Sequence, residues 1–163
     1  MDNTLDVNHP HSLQAERALI AAMIDIDAPG VIAEGVKAEW FFSKVNALVF
    51  ESAKNIFDAG EDVDMLSVSP VLAKKLHDER EDADANTILC GLPTGSIVWR
   101  AALKTVRNKW IQRSMIHSTR GMLEALQAPL ASLDDIKAAI QEPSNAITSL
   151  TLSDEQKTAK EEI

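Results

Sequence analysis

The chain has 163 residues, 45% of them apolar and 25% charged, values that suit one soluble domain or one domain with an appendage. Only 4% are aromatic, so the core has to be aliphatic and alanine-rich, which suits closely packed helices better than a β-sandwich. The formal net charge of −9 disfavours a whole-domain clamp on a phosphate backbone, which needs the opposite sign. The single cysteine, Cys90, forms no internal disulfide and fits a reducing cytosol. There is no run of about twenty apolar residues, and Met1 to Asp6 lacks the basic start of a signal peptide. These features predict a soluble cytoplasmic protein with no membrane partner.

Residues 1–9 are polar and are expected to be a loose tail. Pro10 and Ser12 then announce a helix whose apolar side reads Ala15, Ala18, Leu19, Ala22, Met23 and Ile26. Asp27 to Gly30 is a break, with Pro29 placed to begin a short helix bearing Ile32 and Val36. Trp40-Phe41-Phe42 is the densest aromatic patch and is expected to plug the core at a helix corner.

Ser43 is a cap for a helix presenting Val45, Leu48, Val49, Ile56 and Phe57 and ending at Gly60. An acidic turn, Glu61 to Asp64, follows. Ser69-Pro70 has the form of a cap with Pro at the first helical position, ahead of Val71, Leu72 and Leu76. His77 to Asp84 is expected to be a charged loop, Asp84 a cap for a short helix ending at Gly91, and Pro93-Thr94-Gly95 a turn. Cys90 is expected to be a small buried filler.

From Ser96 to about Leu150 the pattern predicts a helical hairpin turning at Pro129. Trp99, Leu103, Val106 and Trp110, then Ile111, Met115, Thr119, Met122 and Leu126, recur at steps of three and four, along one slowly drifting side. Ser132 and Asp135 form a capping-box-like start for the return. Pro143 falls inside that returning helix, between Ile140 and Ile147, and is expected to kink or stop it near Glu142 at a cost of roughly 3 kcal/mol. The fold class expected is all-α, a compact orthogonal helical bundle (10–95) followed by a projecting long helical hairpin (96–150) and a polar linker (151–163).

Several stretches in register carry a family resemblance. Pro10-His11-Ser12-Leu13-Gln14-Ala15-Glu16, Ala18 to Ile24, Trp40-Phe41-Phe42, Leu48-Val49-Phe50-Glu51, Gly60 to Ser67 and Val106 to Ile116 resemble the N-terminal domain of replicative DNA helicases of the DnaB type. Ala21 stands where the family usually has Gly, Asn46 where a His is common, and Asp62 where a Pro is usual. The resemblance implies assembly and docking rather than chemistry. Hairpins of neighbouring copies would pair into the collar of a ring, and the collar would dock primase and a helicase loader. ATP and Mg would serve only a separate motor domain. The chain has no G-x-x-x-x-G-K-[ST] loop to wrap phosphates, so no cofactor and no enzymatic activity are expected here.

The candidate interface for self-association and partner docking is Trp99, Leu103, Val106, Trp110, Arg113, Ile136 and Ile140. Trp99 is expected to be exposed or at the interface, since buried Trp is frequent among binding hot spots. A candidate basic patch comprises Arg100, Lys104, Arg107 and Arg113. Its plainer role is a solvated face pairing with Glu124, Asp134, Asp135 and Glu142 across the hairpin. Direct nucleic-acid binding is therefore expected to be weak or absent. Two rivals remain: a free-standing collar mimic that competes for primase or loader, and a helical DNA-binding module using the basic patch. His9 and His11 have no acid or cysteine partners at ligand spacing, so no metal site is expected.

Overall fold

A computed structural model of the chain describes residues 10–128, 132–141, 144, 145 and 148, and every regular element among them is helical. The chain divides into two units, residues 1–110 and 111–163.

In the first unit, Ser12 accepts a hydrogen bond from the Ala15 N–H and so starts α1 (Leu13–Asp25). Leu19, Ile20, Ala21, Ala22, Met23 and Ile24 are all buried, so the second half of α1 is packed on every side instead of along one stripe. Ile26 lies past the end of α1 and is 46% exposed, not part of the apolar side expected of it. Asp27 caps α2 (Ala28–Ala33) through the Gly30 N–H, with Pro29 in the first turn. A 3₁₀ turn, Ala38–Trp40, then sends Trp40 and Phe41 into the core. Phe42 does not follow them. Its backbone N–H is held by Glu16, and its ring turns outward to stack on His11 with centroids 4.3 Å apart.

Ser43 caps α3 (Lys44–Asp58), which buries Leu48, Val49, Ala53 and Ile56 and ends before Gly60 at φ +78°. The next helix departs from expectation. α4 (Met65–Asp78) starts at a capping box between Asp64 and Ser67, five residues ahead of Pro70, which sits inside it. Pro70 supplies no N–H to the Leu66 carbonyl one turn back. That turn is tolerated because it faces out: Pro70 and Leu66 are both exposed. Ser69 donates its hydroxyl to Asn86 instead of capping. The charged loop accordingly shrinks to residues 79–84, with Arg80 at φ +56°.

Val68, Leu72 and Leu76 form the buried stripe of α4 against α3, the most extensive helix pair in the fold. Each side chain so buried contributes about 1.5–3 kcal/mol relative to solvent. Asp84 caps α5 (Ala85–Cys90), which turns Ala85 and Leu89 inward. Cys90 is off that face and exposed, not the buried filler expected. Gly95 closes the loop after α5 against the end of α1, where a Cβ would stand 2.8 Å from Ile26 Cγ1 and 3.0 Å from the Ala21 carbonyl.

The last element of the first unit is the beginning of α6 (Trp99–Gln127). The boundary between units falls between Trp110 and Ile111, inside this helix. In the second unit α6 continues to Gln127, and residues 133–141 are helical. Ser132 and Asp135 form the capping box read from the sequence: the Ser132 N–H and hydroxyl donate to the Asp135 carboxylate, and the Asp135 N–H donates to the Ser132 hydroxyl. The Pro129 turn, the Pro143 kink, and the segments 1–9 and 151–163 lie outside the described residues.

Candidate self-association and docking surface

The seven candidate interface residues do not form one surface. Trp99 and Val106 are two turns apart on α6, and at 3% and 2% exposure they belong to the core of the first unit. Leu103 and Trp110 are half-buried and pack against the same core. This corrects the expectation of an exposed Trp99 and of a seam awaiting a second molecule along these four residues. The helical spacing that marked them was genuine, but it is the spacing of a helix laid on its own bundle.

Trp110 shows how the first turns of α6 are attached. Its indole stacks on Trp40 with ring centroids 5.6 Å apart. The Arg107 guanidinium lies over the Trp40 ring at 5.8 Å, and that of Arg100 lies over Trp99 at 4.7 Å. Arg100 also reaches Glu34 at 3.9 Å. Two of the four basic-patch residues thus spend their cations on the first unit's own indoles, while Lys104 is exposed. Asp134 stands 4.0 Å from Lys137, Asp135 is engaged by Ser132, and Glu142 lies outside the described residues.

The remaining three candidates sit in the second unit. Arg113 and Ile136 are half-buried, and Ile140 is 46% exposed beside an open recess that also takes in Lys137 and Gln141. The apolar surface left open there keeps Ile140 of the predicted set and otherwise consists of residues outside it. Met115, Leu123 and Leu126 of α6 are 43%, 51% and 55% exposed, with half-buried Met122 among them, and Leu133 beyond is 72% exposed. Met115, Met122 and Leu126 follow at steps of seven and four, one narrow stripe of the helix.

One residue that sequence reasoning did not single out holds the first unit together. Glu16 is 1% exposed, and its carboxylate accepts the Phe42 N–H at 2.7 Å, the Ser43 N–H at 3.3 Å and the Asn46 side-chain amide at 2.8 Å. It lends a negative charge from α1 to the start of α3, where unpaired N–H groups and the helix dipole favour one. The available signal was its position: Glu16, Leu19, Ile20 and Met23 share the i, i+3, i+4, i+7 stripe, so an acid stood on the buried side.

The family of the DnaB-like helicase N-terminal domain matches residues 8–108. The chain belongs to this family. The match ends two residues before the first unit does, and it describes the N-terminal domain, not an ATP-hydrolysing motor. Among curated proteins, the chain is similar to the replicative DNA helicase DnaB of two strains of Buchnera aphidicola. It is 34% identical to each over 67 residues, 40% of this chain but only 14% and 15% of those proteins. The fold is that of the crystal structure of the N-terminal domain of DnaB helicase from Mycobacterium tuberculosis, with a TM-score of 0.69 at 20% identity. That likeness covers 82% of this chain and 97% of the solved one. The all-α fold class read from the sequence therefore stands.

Proposed function

We propose that this chain serves DNA replication as the N-terminal assembly and docking domain of a replicative helicase, in the cytoplasm, with primase and a helicase loader among its partners. ATP hydrolysis, with its Mg, belongs to a motor outside the residues of this chain. Membership of the DnaB-like N-terminal family supports the replicative role. The observation that carries self-association is the exposed apolar surface of the second unit, Met115, Leu123, Leu126, Leu133 and Ile140. Large aliphatic side chains at this spacing gain by leaving water, and a second copy offers the same surface. A contact of about 1,600 Å² in total makes a standard stable interface. Copies pair through this surface, and the first unit presents the docking face.

Sedimentation of the purified chain tests the reading. Dimers or larger species are expected at micromolar concentration, and Leu123→Asp with Leu126→Asp should leave monomers whose helix content is unchanged. A wild-type chain that is monomeric throughout would remove the self-association reading. The nucleic-acid rival keeps less support, because Arg100 and Arg107 lie over indoles of the first unit.

A further inference from the structure

On the first unit a recess of about 190 Å³ opens between the end of α1, the first residue of α4 and the segment after α5. Its walls include Ile24, Asp25, Met65, Leu89, Cys90 and Pro93. Apolar surface continues past the walls. Ile26, 46% exposed, lies against Gly95 beside the recess, Met65 is 37% exposed, and its neighbour Leu66 is 87% exposed. The residues next to the lining in sequence are acidic. Asp25 is on the wall, Asp27 follows Ile26, and Asp64 precedes Met65, with Glu61 and Asp62 just upstream. The Arg17 guanidinium donates to the Gly91 carbonyl.

That charge decides what can fill the recess. Two copies meeting face to face here would bring like carboxylates together, which works against self-pairing through this patch. A nucleic-acid backbone or an acidic peptide meets the same repulsion. A helix carrying a large aliphatic anchor, flanked one turn away by Lys or Arg, satisfies both the apolar walls and the acidic surroundings. We propose that this recess docks a basic amphipathic helix of a partner protein. The proposal rests on the docking role given above and names the chemistry of the docked segment.

Cys90, the sole cysteine of the chain, lines the recess and is exposed, so the unaltered protein carries its own reporter. The probe is a Lys/Leu amphipathic helical peptide of about five turns, with a Glu/Leu and a Lys/Ser peptide of the same pattern as controls. The Lys/Leu peptide should bind saturably, more weakly as salt rises, and slow alkylation of Cys90 by N-ethylmaleimide about tenfold or more. The two controls should leave the rate unchanged. Met65→Glu alters an exposed side chain, so it should keep the helix content and lose the protection. Unchanged Cys90 reactivity, equal protection by the Glu/Leu peptide, or full protection of Met65→Glu would each overturn the proposal. If Cys90 is instead protected by raising the protein concentration alone, and Met65→Glu lowers the assembly size, a second copy fills the recess and the partner assignment is wrong. Leu123→Asp with Leu126→Asp should retain peptide protection in full. Protection in a chain that never self-associates would remove the assembly reading alone, and self-association without protection would remove only this one.

Discussion

The indoles of Trp40 and Trp110 stack at 5.6 Å between centroids, with planes 27° from parallel. Seventy residues of chain separate them. The stack fastens the fourth turn of α6 to the 3₁₀ turn ahead of α3, with the Arg107 guanidinium over the same Trp40 ring. A helix read as the start of a free hairpin is, for its first twelve residues, a wall of the bundle. The exposed large apolar side chains of α6 therefore begin beyond Trp110, at Met115.

Aspartate at Val106 and aspartate at Leu123 should separate these two stretches of α6. Val106→Asp places an unpaired charge at a site 2% exposed and should cost about 3–5 kcal/mol, enough to unfold much of the chain. Leu123→Asp changes a side chain 51% exposed and should move the stability by less than about 0.5 kcal/mol while weakening self-association. Urea unfolding followed by Trp fluorescence, together with sedimentation, reads both. A Val106→Asp chain as stable as the wild type would contradict the packing described for α6.

Removing the carboxylate of Glu16 strands three donors at once. Glu16→Ala should destabilise the first unit by about 2–4 kcal/mol, and Glu16→Gln by roughly half as much, since it keeps one acceptor oxygen but turns an amide N–H₂ toward donors. Combined with Asn46→Ala, the losses should be less than additive, because both changes delete the same bond. Strict additivity in a double-mutant cycle would show that the Glu16–Asn46 contact carries no energy of its own.

Acid should weaken the helix starts. The Ser67 backbone N–H holds the Asp64 carboxyl below the ordinary carboxylate range, and the Thr87 backbone N–H does so for Asp84. The Ser132 hydroxyl does the same for Asp135 in the second unit. Because the folded values are depressed, their stabilisation is fully present above the ordinary carboxylate pKa of about 4 and is lost as pH falls through the lower folded values. The melting temperature should therefore drop between mildly acidic and strongly acidic buffer, and it should drop less in a chain with Asp64→Asn and Asp84→Asn, since Asn still caps but does not titrate. Equal acid sensitivity in the two chains would assign the effect to other carboxyls. Lys44 has the opposite sign. Its hydrogen bonds to Glu79 and then Glu81 raise its pKa, so its contribution is complete below the ordinary lysine value and fades as pH rises through the folded one.

Alanine at two glycines should act in opposite directions. Gly60 has open space around it but sits at φ +78°, where a Cβ is strained, so Gly60→Ala should cost about 1 kcal/mol. Gly121 also has open space but lies within α6 at no such angle, so Gly121→Ala should stabilise that helix by up to about 1 kcal/mol. Thermal melts followed by circular dichroism decide the signs. A stabilising Gly60→Ala would contradict the left-handed turn.

Much of the architecture was legible in the residue order because it is a local matter. Ser12, Ser43, Asp84 and Ser132 cap the helices that follow them, and Gly60 ends α3, since a cap needs only a hydroxyl or carboxylate and a backbone N–H three residues away. The start of α4 was misplaced because two local signals competed. Ser69-Pro70 has the look of a helix start, but Asp64 with Ser67 forms the box, and an exposed turn tolerates the proline.

Taken alone, the sequence determined an all-α chain of the DnaB-like N-terminal family, the helix starts other than that of α4, and the apolar period of α6, the last two being properties of neighbours within two turns. Only the tertiary structure decided what that period faces. Periodicity records that one side of a helix avoids water, not whether the covering surface comes from the same chain or another. Trp40, seventy residues before Trp110, and Glu16, thirty before Asn46, supply partners that no local pattern announces. The surface left for other molecules therefore shifts to Met115, Leu123 and Leu126 on one unit and to the acid-rimmed recess beside Met65 on the other.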